Sequence, residues 1–220
     1  MWMFILNPRL CRGIEQQSTI PTGKNFMLMN QTDFLKTKFE QGLDYAGFVR
    51  LAEAEGQQLP WEQRYGQLTL DPEQTSLVGG FTRKIHVLCL TGTWCGDCAL
   101  QGSAMQRIAE ANPDVIDLRF LLRSEEHAEL VVKSQVNAGF RVPVTWFLAE
   151  DFEPVSFFGD RTLSRYRAMA LKAIGPEVEP THAPPPADPV REVLAEVLQE
   201  FERVHLLLRL SGRLREKHGD

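Results

Sequence analysis

A short apolar run, followed at once by two closely spaced cysteines and a helical pattern, limits the possible folds of this chain more than any other segment. Residues 85–90 are nearly all apolar and rich in branched side chains, which predicts a strand buried on both faces of a sheet. Cys95 and Cys98 follow, and apolar residues then recur at helical spacing from residue 100 to 108. We therefore predict a strand, a turn that carries two cysteines, and a helix.

The segments after this unit continue the alternation of strands and helices. Five further elements are predicted, in the order strand, helix, strand, strand, helix: residues 115–122, 124–139, 144–148, 155–158 and 162–173. Short connections between the third and fourth strands predict a hairpin. The order β-α-β-α-β-β-α predicts an α/β domain over residues 83–174, with a central mixed sheet flanked by helices.

Flanking regions extend this domain at both ends. A helical N-terminal extension is predicted over residues 30–82, because polar residues that can cap a helix, among them Asp44 and Asp71, precede short apolar repeats. Residues 175–189 are rich in proline and predict a linker. Apolar residues at three- and four-residue spacing then predict one amphipathic C-terminal helix over 190–220. Residues 1–29 are interpreted as a disordered lead, or as sequence upstream of a mis-assigned start.

Composition and charge exclude several classes of protein. The formal net charge of −5 over 220 residues argues against a nucleic-acid binder, which normally presents a basic face. No apolar run approaches the roughly 20 residues that span a bilayer, and the apolar N-terminus breaks at Pro8 with no basic residue before it, unlike a signal peptide. We expect a cytoplasmic protein with no nucleic-acid partner and no membrane span.

The motif Cys95-Gly96-Asp97-Cys98 is typical of thiol redox chemistry when a strand gives way to a helix. Two intervening residues let both sulfurs reach disulfide distance within the first helical turn. The free N–H groups of a helix N-terminus favour a thiolate on Cys95. We predict that Cys95 is the nucleophile and that Cys98, one turn along, resolves the mixed disulfide.

A zinc site is the alternative use of a C-x-x-C pair, and it needs two more ligands. The candidates are Cys89, His86, His127 and Cys11, none of which belongs to a second closely spaced pair. The redox interpretation is therefore preferred, and no metal ligand is assigned. Cys89, on the predicted buried strand, is interpreted as a small core residue, with a modulating redox role as the alternative.

Two segments resemble the thioredoxin superfamily. The stretch 93–98, Thr-Trp-Cys-Gly-Asp-Cys, looks like its active site, and Arg-Val-Pro-Val-Thr at 141–145 is similar to its cis-proline loop. The resemblance covers residues 84–172, and the order of elements agrees with it. The N-terminal helices and the Gly-Asp dipeptide resemble a bacterial thioredoxin-like branch. The resemblance implies a thioredoxin-like fold.

The same resemblance implies roles for individual residues. Pro143 would be cis and face the cysteine pair, the Val142 backbone would bind an extended substrate, and Trp94 would flank the pair. The implied partners are protein or small-molecule disulfides and an external reductant, such as a thioredoxin reductase or the glutathione system. No bound cofactor is implied.

The chain departs from the superfamily's pattern at two positions. Asp97 replaces the usual proline before the second cysteine, and Cys89 replaces a buried aspartate six positions before the first. Asp97 could help to deprotonate Cys98, but we favour an exposed carboxylate that stabilises the helix N-terminus. Gly96 and Asp97 modulate the pair, and a charge that opposes the thiolate predicts a reductase-like potential.

Three functional hypotheses follow from the sequence. The preferred one is a disulfide reductase, and the alternatives are a non-catalytic thioredoxin-fold binding module and a metal-binding C-x-x-C protein. A peroxidase is disfavoured, because the chain lacks the Pro-x-x-x-Thr-x-x-Cys context. Arg123, Arg141 and His127 lie near predicted element ends, where charged side chains are usually solvated, and they are assigned no role.

Overall fold

A mixed β-sheet forms the centre of the computed structural model, which describes residues 31–175, 184 and 186–220. Its strands are β1 Ile85–Thr91, β2 Ile116–Leu122, β3 Val144–Leu148 and β4 Pro154–Phe158. The order is β2-β1-β3-β4. Strand β1 runs parallel to β2 and antiparallel to β3, which forms a hairpin with β4. The predicted lead and most of the predicted linker, like Cys11, lie outside the described residues.

Helices surround this sheet and also stand at both ends of the described chain. They are α1 Gln31–Glu40, α2 Tyr45–Ala54, α3 Gln58–Gln67, α4 Pro72–Gly79, α5 Gly96–Ala111, α6 Ala128–Lys133, α7 Leu163–Ile174, α8 Pro189–Leu210 and α9 Gly212–His218. The predicted fold class is therefore confirmed: a thioredoxin-like α/β fold with a central mixed sheet, an N-terminal helical extension and an amphipathic helix near the C-terminus.

Two predicted helices are shorter than expected. The segment predicted as one helix over 124–139 instead forms a 3-10 turn followed by α6, which ends at Lys133. A helix cannot continue to residue 139, because Asn137 and Ala138 adopt positive φ angles of 49° and 54° and turn the chain. The single helix predicted over 190–220 is two helices. It breaks at Ser211, whose hydroxyl caps α9.

Local capping chemistry explains where the N-terminal helices begin. The Asp44 carboxylate accepts a hydrogen bond from the backbone N–H of Gly47 at 2.7 Å, and α2 follows. Asp71 forms a capping box with Gln74 at the start of α4. Each cap satisfies a backbone donor that the first helical turn leaves free, so these start points follow from the sequence.

The two faces of the sheet are covered by different helices. On one face, the hydroxyl of Thr145 in β3, opposite Cys89 in β1, contacts the Met105 sulfur of α5 at 3.7 Å. On the other face, Phe39 of α1 packs edge-on against His86, with ring centroids 4.9 Å apart. Because side chains alternate along a strand, Cys89 faces α5 and His86 faces away from it.

The N-terminal helices are built into the domain rather than attached to it. Leu43 and Phe120 exchange backbone hydrogen bonds of 2.9 and 2.8 Å, which add a bridge to the edge of β2. Trp61 of α3 is fully buried and packs against Phe48 and Phe120. Helix α3 thereby lies directly against α5, which carries the cysteine pair.

Helix α8 covers the other side of α5. Its apolar face is buried and includes Val193, Leu194, Val197, Leu198, Phe201, Val204 and Leu208. Phe201 meets Phe147 of β3 edge-on, with centroids 5.0 Å apart. The Glu196 carboxylate accepts hydrogen bonds from the backbone and hydroxyl of Ser164 at 2.8 and 2.6 Å, at the start of α7. The apolar stripe seen in the sequence thus packs against the domain.

Gly102 should be the glycine least tolerant of substitution on α5. A Cβ there would lie 2.5 Å from the Trp61 ring and 3.2 Å from the Phe120 ring, so Gly102→Ala must push α3 away. We expect a loss of about 1–3 kcal/mol in the free energy of unfolding, measured by urea denaturation.

Gly66→Ala is the matched control, because Gly66 is also helical and nothing lies within 4 Å of its Cβ position. We expect it to be neutral or to stabilise the protein by up to about 1 kcal/mol. Equal stability of the two variants would contradict the close packing of α3 on α5.

Candidate active site

Cys95 occupies the N-cap of α5, at the point where the chain leaves β1. Its backbone is extended, with φ −96° and ψ 118°, and its Sγ accepts a hydrogen bond from the backbone N–H of Cys98 at 3.3 Å. A cysteine sulfur therefore satisfies one of the free donors at the helix N-terminus, as a Ser or Asp side chain usually does. This position favours a negative charge on the sulfur.

The environment of Cys95 favours its thiolate. A hydrogen bond from the Cys98 side chain, helped by backbone N–H groups, lowers the pKa of Cys95 to about 7 against the opposing effects of burial and of the Asp97 charge. Lowered pKa values of this kind are typical of reactive cysteines at helix N-termini. At neutral pH, a large fraction of Cys95 is in the nucleophilic form.

The other two described cysteines are buried and protonated. Burial raises the pKa of Cys98 well above its usual value and that of Cys89 to about 12. All three are free thiols. The place of the superfamily's buried aspartate is thus held by an apolar thiol, and Cys89 lies in the core as predicted.

The loop before β3 lies against Cys95. The Val142–Pro143 peptide bond is cis, as the resemblance implied. The carbonyl oxygen of Val142 lies 3.8 Å from the Cys95 sulfur, which can donate its proton to it. The structure therefore brings the backbone of Val142, one of the predicted substrate-binding residues, to the Cys95 sulfur.

Trp94 stands at the surface beside the pair. Its side chain is 52% exposed, and its ring lies over Gly92, where a Cβ would come within 2.9 Å of it. The Arg123 guanidinium lies 5.8 Å from the ring centroid on another side. Trp94 is thus held in place and still presents an aromatic surface next to Cys95.

The N-terminal helices support the cysteine loop from behind. The buried Trp61 Nε1 donates a hydrogen bond of 3.0 Å to the carbonyl of Thr93, and the Thr93 hydroxyl donates to the Glu55 carboxylate. Neither Trp61 nor Glu55 was predicted from the sequence, because the segment around Trp61 has no clear periodicity. The buried tryptophan donor is the signal that could have identified it.

Asp97 is not the exposed carboxylate that the sequence predicted. Its side chain is only 11% exposed, and it forms ion pairs with the Nε atoms of Arg161 at 2.9 Å and Arg165 at 2.7 Å. The arginines come from the start of α7 and the loop before it, which fold over the N-terminus of α5. With both carboxylate oxygens engaged, Asp97 is also poorly placed to accept the proton of Cys98.

A second buried carboxylate, Asp160, connects this ion pair to the cis-proline loop. It is 1% exposed and pairs with Arg161 at 2.7 Å and with Arg141 at 3.3 Å. The hydroxyl of Tyr166 also donates to it. Arg141 precedes Val142, so one network joins the two loops that flank Cys95. The sequence analysis assigned no role to Arg141 and did not identify Asp160.

The candidate zinc ligands are not brought together. Cys89 faces α5, and His86 lies on the opposite face of the sheet, stacked on Phe152 at 4.3 Å. His127 contacts Lys38 through its Nδ1 at 3.3 Å. Within residues 31–175, 184 and 186–220, no group of three or more His, Cys, Asp or Glu side chains could hold a metal ion.

None of the helices described is both long and apolar enough to cross a bilayer. This agrees with the sequence, where no apolar run reaches the required length. The longest helix, α8, is amphipathic and buries its apolar face within the domain.

Known proteins resemble this chain in sequence and in fold. A family model described as thioredoxin matches residues 42–171. A protein of unknown function from Pseudomonas aeruginosa is similar in structure, with a TM-score of 0.55, 19% identity, and coverage of 76% of this chain and 93% of its own. An HIV epitope scaffold has a TM-score of 0.53 and 17% identity, and the match covers 77% of this chain and 95% of the scaffold. No curated protein matches significantly. The two structures share the fold.

Replacing Asp97 by Asn should lower the pKa of Cys95 below about 7. The Asp97 charge opposes the thiolate, and its removal leaves Arg165 without a carboxylate partner among the described residues, whereas Arg161 keeps Asp160. The measurement is the pH dependence of Cys95 alkylation by iodoacetamide, read by mass spectrometry. In the wild type we expect a midpoint of about 7 for Cys95 and no reaction at Cys98 in the native state.

Asp114→Asn is the control, because it removes the same charge beyond the far end of α5. Its midpoint should equal that of the wild type. A midpoint that stays the same or rises in Asp97→Asn would contradict the electrostatic role given to Asp97.

Proposed function

Because the chain belongs to the thioredoxin family, we propose that it is a disulfide oxidoreductase that works as a reductase through Cys95 and Cys98. One observation carries the proposal: a half-buried thiol with a pKa of about 7 at a helix N-terminus, next to a buried thiol that stays protonated. This is the asymmetry that dithiol exchange needs, since one sulfur must attack and the other must wait.

In the first step, the Cys95 thiolate attacks one sulfur of a substrate disulfide. A bond forms between Cys95 and that sulfur, the substrate S–S bond breaks, and the other substrate sulfur leaves as a thiolate. In the second step, the Cys98 sulfur attacks Cys95, the mixed disulfide breaks, and a second substrate thiolate leaves. The proton of the Cys98 thiol is transferred to the substrate thiolate that was released in the first step. The protein is oxidised by two electrons, and the substrate is reduced by two.

The substrate is proposed to lie along the cis-proline loop. The backbone of Val142 is beside the reactive sulfur, since its carbonyl oxygen is 3.8 Å from Cys95 Sγ. An extended segment that pairs with this backbone would bring its disulfide to Cys95. Pro143 follows Val142 in this loop, and the exposed ring of Trp94 offers an aromatic surface for the same segment.

The acidity of Cys95 supports the reducing direction of the proposed reaction. Strongly oxidising dithiol proteins have a nucleophilic cysteine with a pKa of about 3.5, and reducing ones have a value of about 7. The pKa of Cys95 is about 7, which supports a reductase. The oxidised pair must then be recharged by an external dithiol or thiol, such as a thioredoxin reductase or the glutathione system. We propose a cytoplasmic location, where such reductants keep thiols reduced.

Reduction of a peptide disulfide tests this function. The reduced full-length protein should release both peptide thiols, and Cys95→Ser should abolish the reaction because the attacking sulfur is gone. Cys98→Ser should stop after the first step and accumulate a mixed disulfide between Cys95 and the peptide, detected by its mass. Cys89→Ala should retain the reaction, because Cys89 lies in the core.

A trapped adduct on Cys98 rather than Cys95, or no adduct at all, would contradict the assigned roles. Peptide binding that survives in Cys95→Ser, together with no disulfide reduction by the wild type, would instead favour the binding module.

A further inference from the structure

We propose that the site selects disulfides within acidic peptide segments, through exposed arginine side chains around Cys95; this inference rests on the proposed reductase function. We call these side chains the arginine rim and define it as Arg123, Arg141 and Arg165. The rim stands out because the chain as a whole has a formal net charge of −5.

Arg123 is the member without a carboxylate partner. It is exposed at the end of β2, donates a hydrogen bond of 2.6 Å to the carbonyl of Phe140, and lies 5.8 Å from the Trp94 ring centroid. No carboxylate of the described residues lies within ion-pair distance of it, including Glu125 and Glu126 in the turn that follows. Its guanidinium is therefore held beside the site with its charge available.

The other two rim arginines lie above buried carboxylates. Arg141 pairs with Asp160, and Arg165 pairs with Asp97. The arginine side chains are 39% and 34% exposed, whereas the carboxylates are only 1% and 11% exposed. Arg161, less exposed, lies between the same two carboxylates. The acids of these pairs are thus underneath, and the charge that the pairs present to solvent is positive.

Apolar side chains lie between the charged groups. Trp94 and Phe140 are both more than half exposed, and Phe140 lies two residues before Val142. An extended peptide along Val142 could place its apolar atoms on these rings and its carboxylates against Arg123 and Arg141. A segment rich in lysine would meet like charges at the same positions.

The rim also offsets a general cost of acidic substrates. A negatively charged segment repels an attacking thiolate, so acidic flanks slow disulfide exchange unless nearby cations compensate. Here Arg123 lies near the ring of Trp94, the residue before Cys95, and Arg141 precedes the Val142 loop that contacts Cys95. Both guanidiniums could hold those carboxylates. The preference should therefore be visible in the rate of the first step.

The test uses three peptides of equal length, each with one disulfide flanked by Glu, Gln or Lys. The rate constant for mixed-disulfide formation is measured with Cys98→Ser at low and high salt. We expect the Glu peptide to react about fivefold faster than the Gln peptide at low salt, the effect of one exposed ion pair. The Lys peptide should be the slowest, and the differences should shrink as salt screens the charges.

Arg123→Gln is made in the Cys98→Ser background. It should reduce the ratio of the rate constants for the Glu and Gln peptides to about one or two, because the variant loses the ion pair with the peptide. Arg50→Gln is the matched control, because Arg50 is an exposed arginine of α2 and its loss changes the net charge equally. It should keep the wild-type ratio, which separates a local contact from net charge.

The outcomes separate this inference from the proposed function. Equal rates for the Glu and Gln peptides, or a preference that neither salt nor Arg123→Gln reduces, would overturn the arginine rim and leave the reductase in place. No mixed disulfide with any of the three peptides would overturn the reductase proposal, and the inference with it.

Discussion

The hydrogen bond from the Cys98 backbone to the sulfur of Cys95 is the interaction on which the site depends. It makes the reactive sulfur the cap of α5, so the same atom ends the loop after β1 and receives the free donors of the helix. Anything that moves the first turn of α5 therefore alters both the geometry and the acidity of Cys95. The remaining architecture holds this turn in place.

Supports reach the turn from three directions. The Trp61 ring donates a hydrogen bond to the Thr93 carbonyl from behind, and the Val142 loop contacts Cys95 on the side where we propose that substrate binds. On the third side, α7 and the loop before it reach Asp97 through two arginines. Since all three supports come from distant parts of the chain, the N-terminal helices and α7 contribute to the site although they carry no reactive group.

Local patterns were enough to predict much of this molecule. The strand before Cys95, the hairpin after Pro143 and the caps at Asp44 and Asp71 all follow from short-range rules, and all are found in the structure. The environment of Asp97 could not be predicted, because its partners lie 64 and 68 residues away. The break between α8 and α9 was not predicted, because the apolar stripe of α8 gives little indication of where that helix ends.

A redox titration of the Cys95 and Cys98 pair tests the central claim most directly. The full chain is equilibrated in dithiothreitol or glutathione buffers, and the thiols are trapped and counted by mass spectrometry. We predict one reversible two-electron couple, confined to Cys95 and Cys98, with a potential below about −200 mV, in the range of reducing dithiol proteins. Two inert thiols, or a strongly oxidising couple near about −120 mV, would contradict a reductase built on this pair.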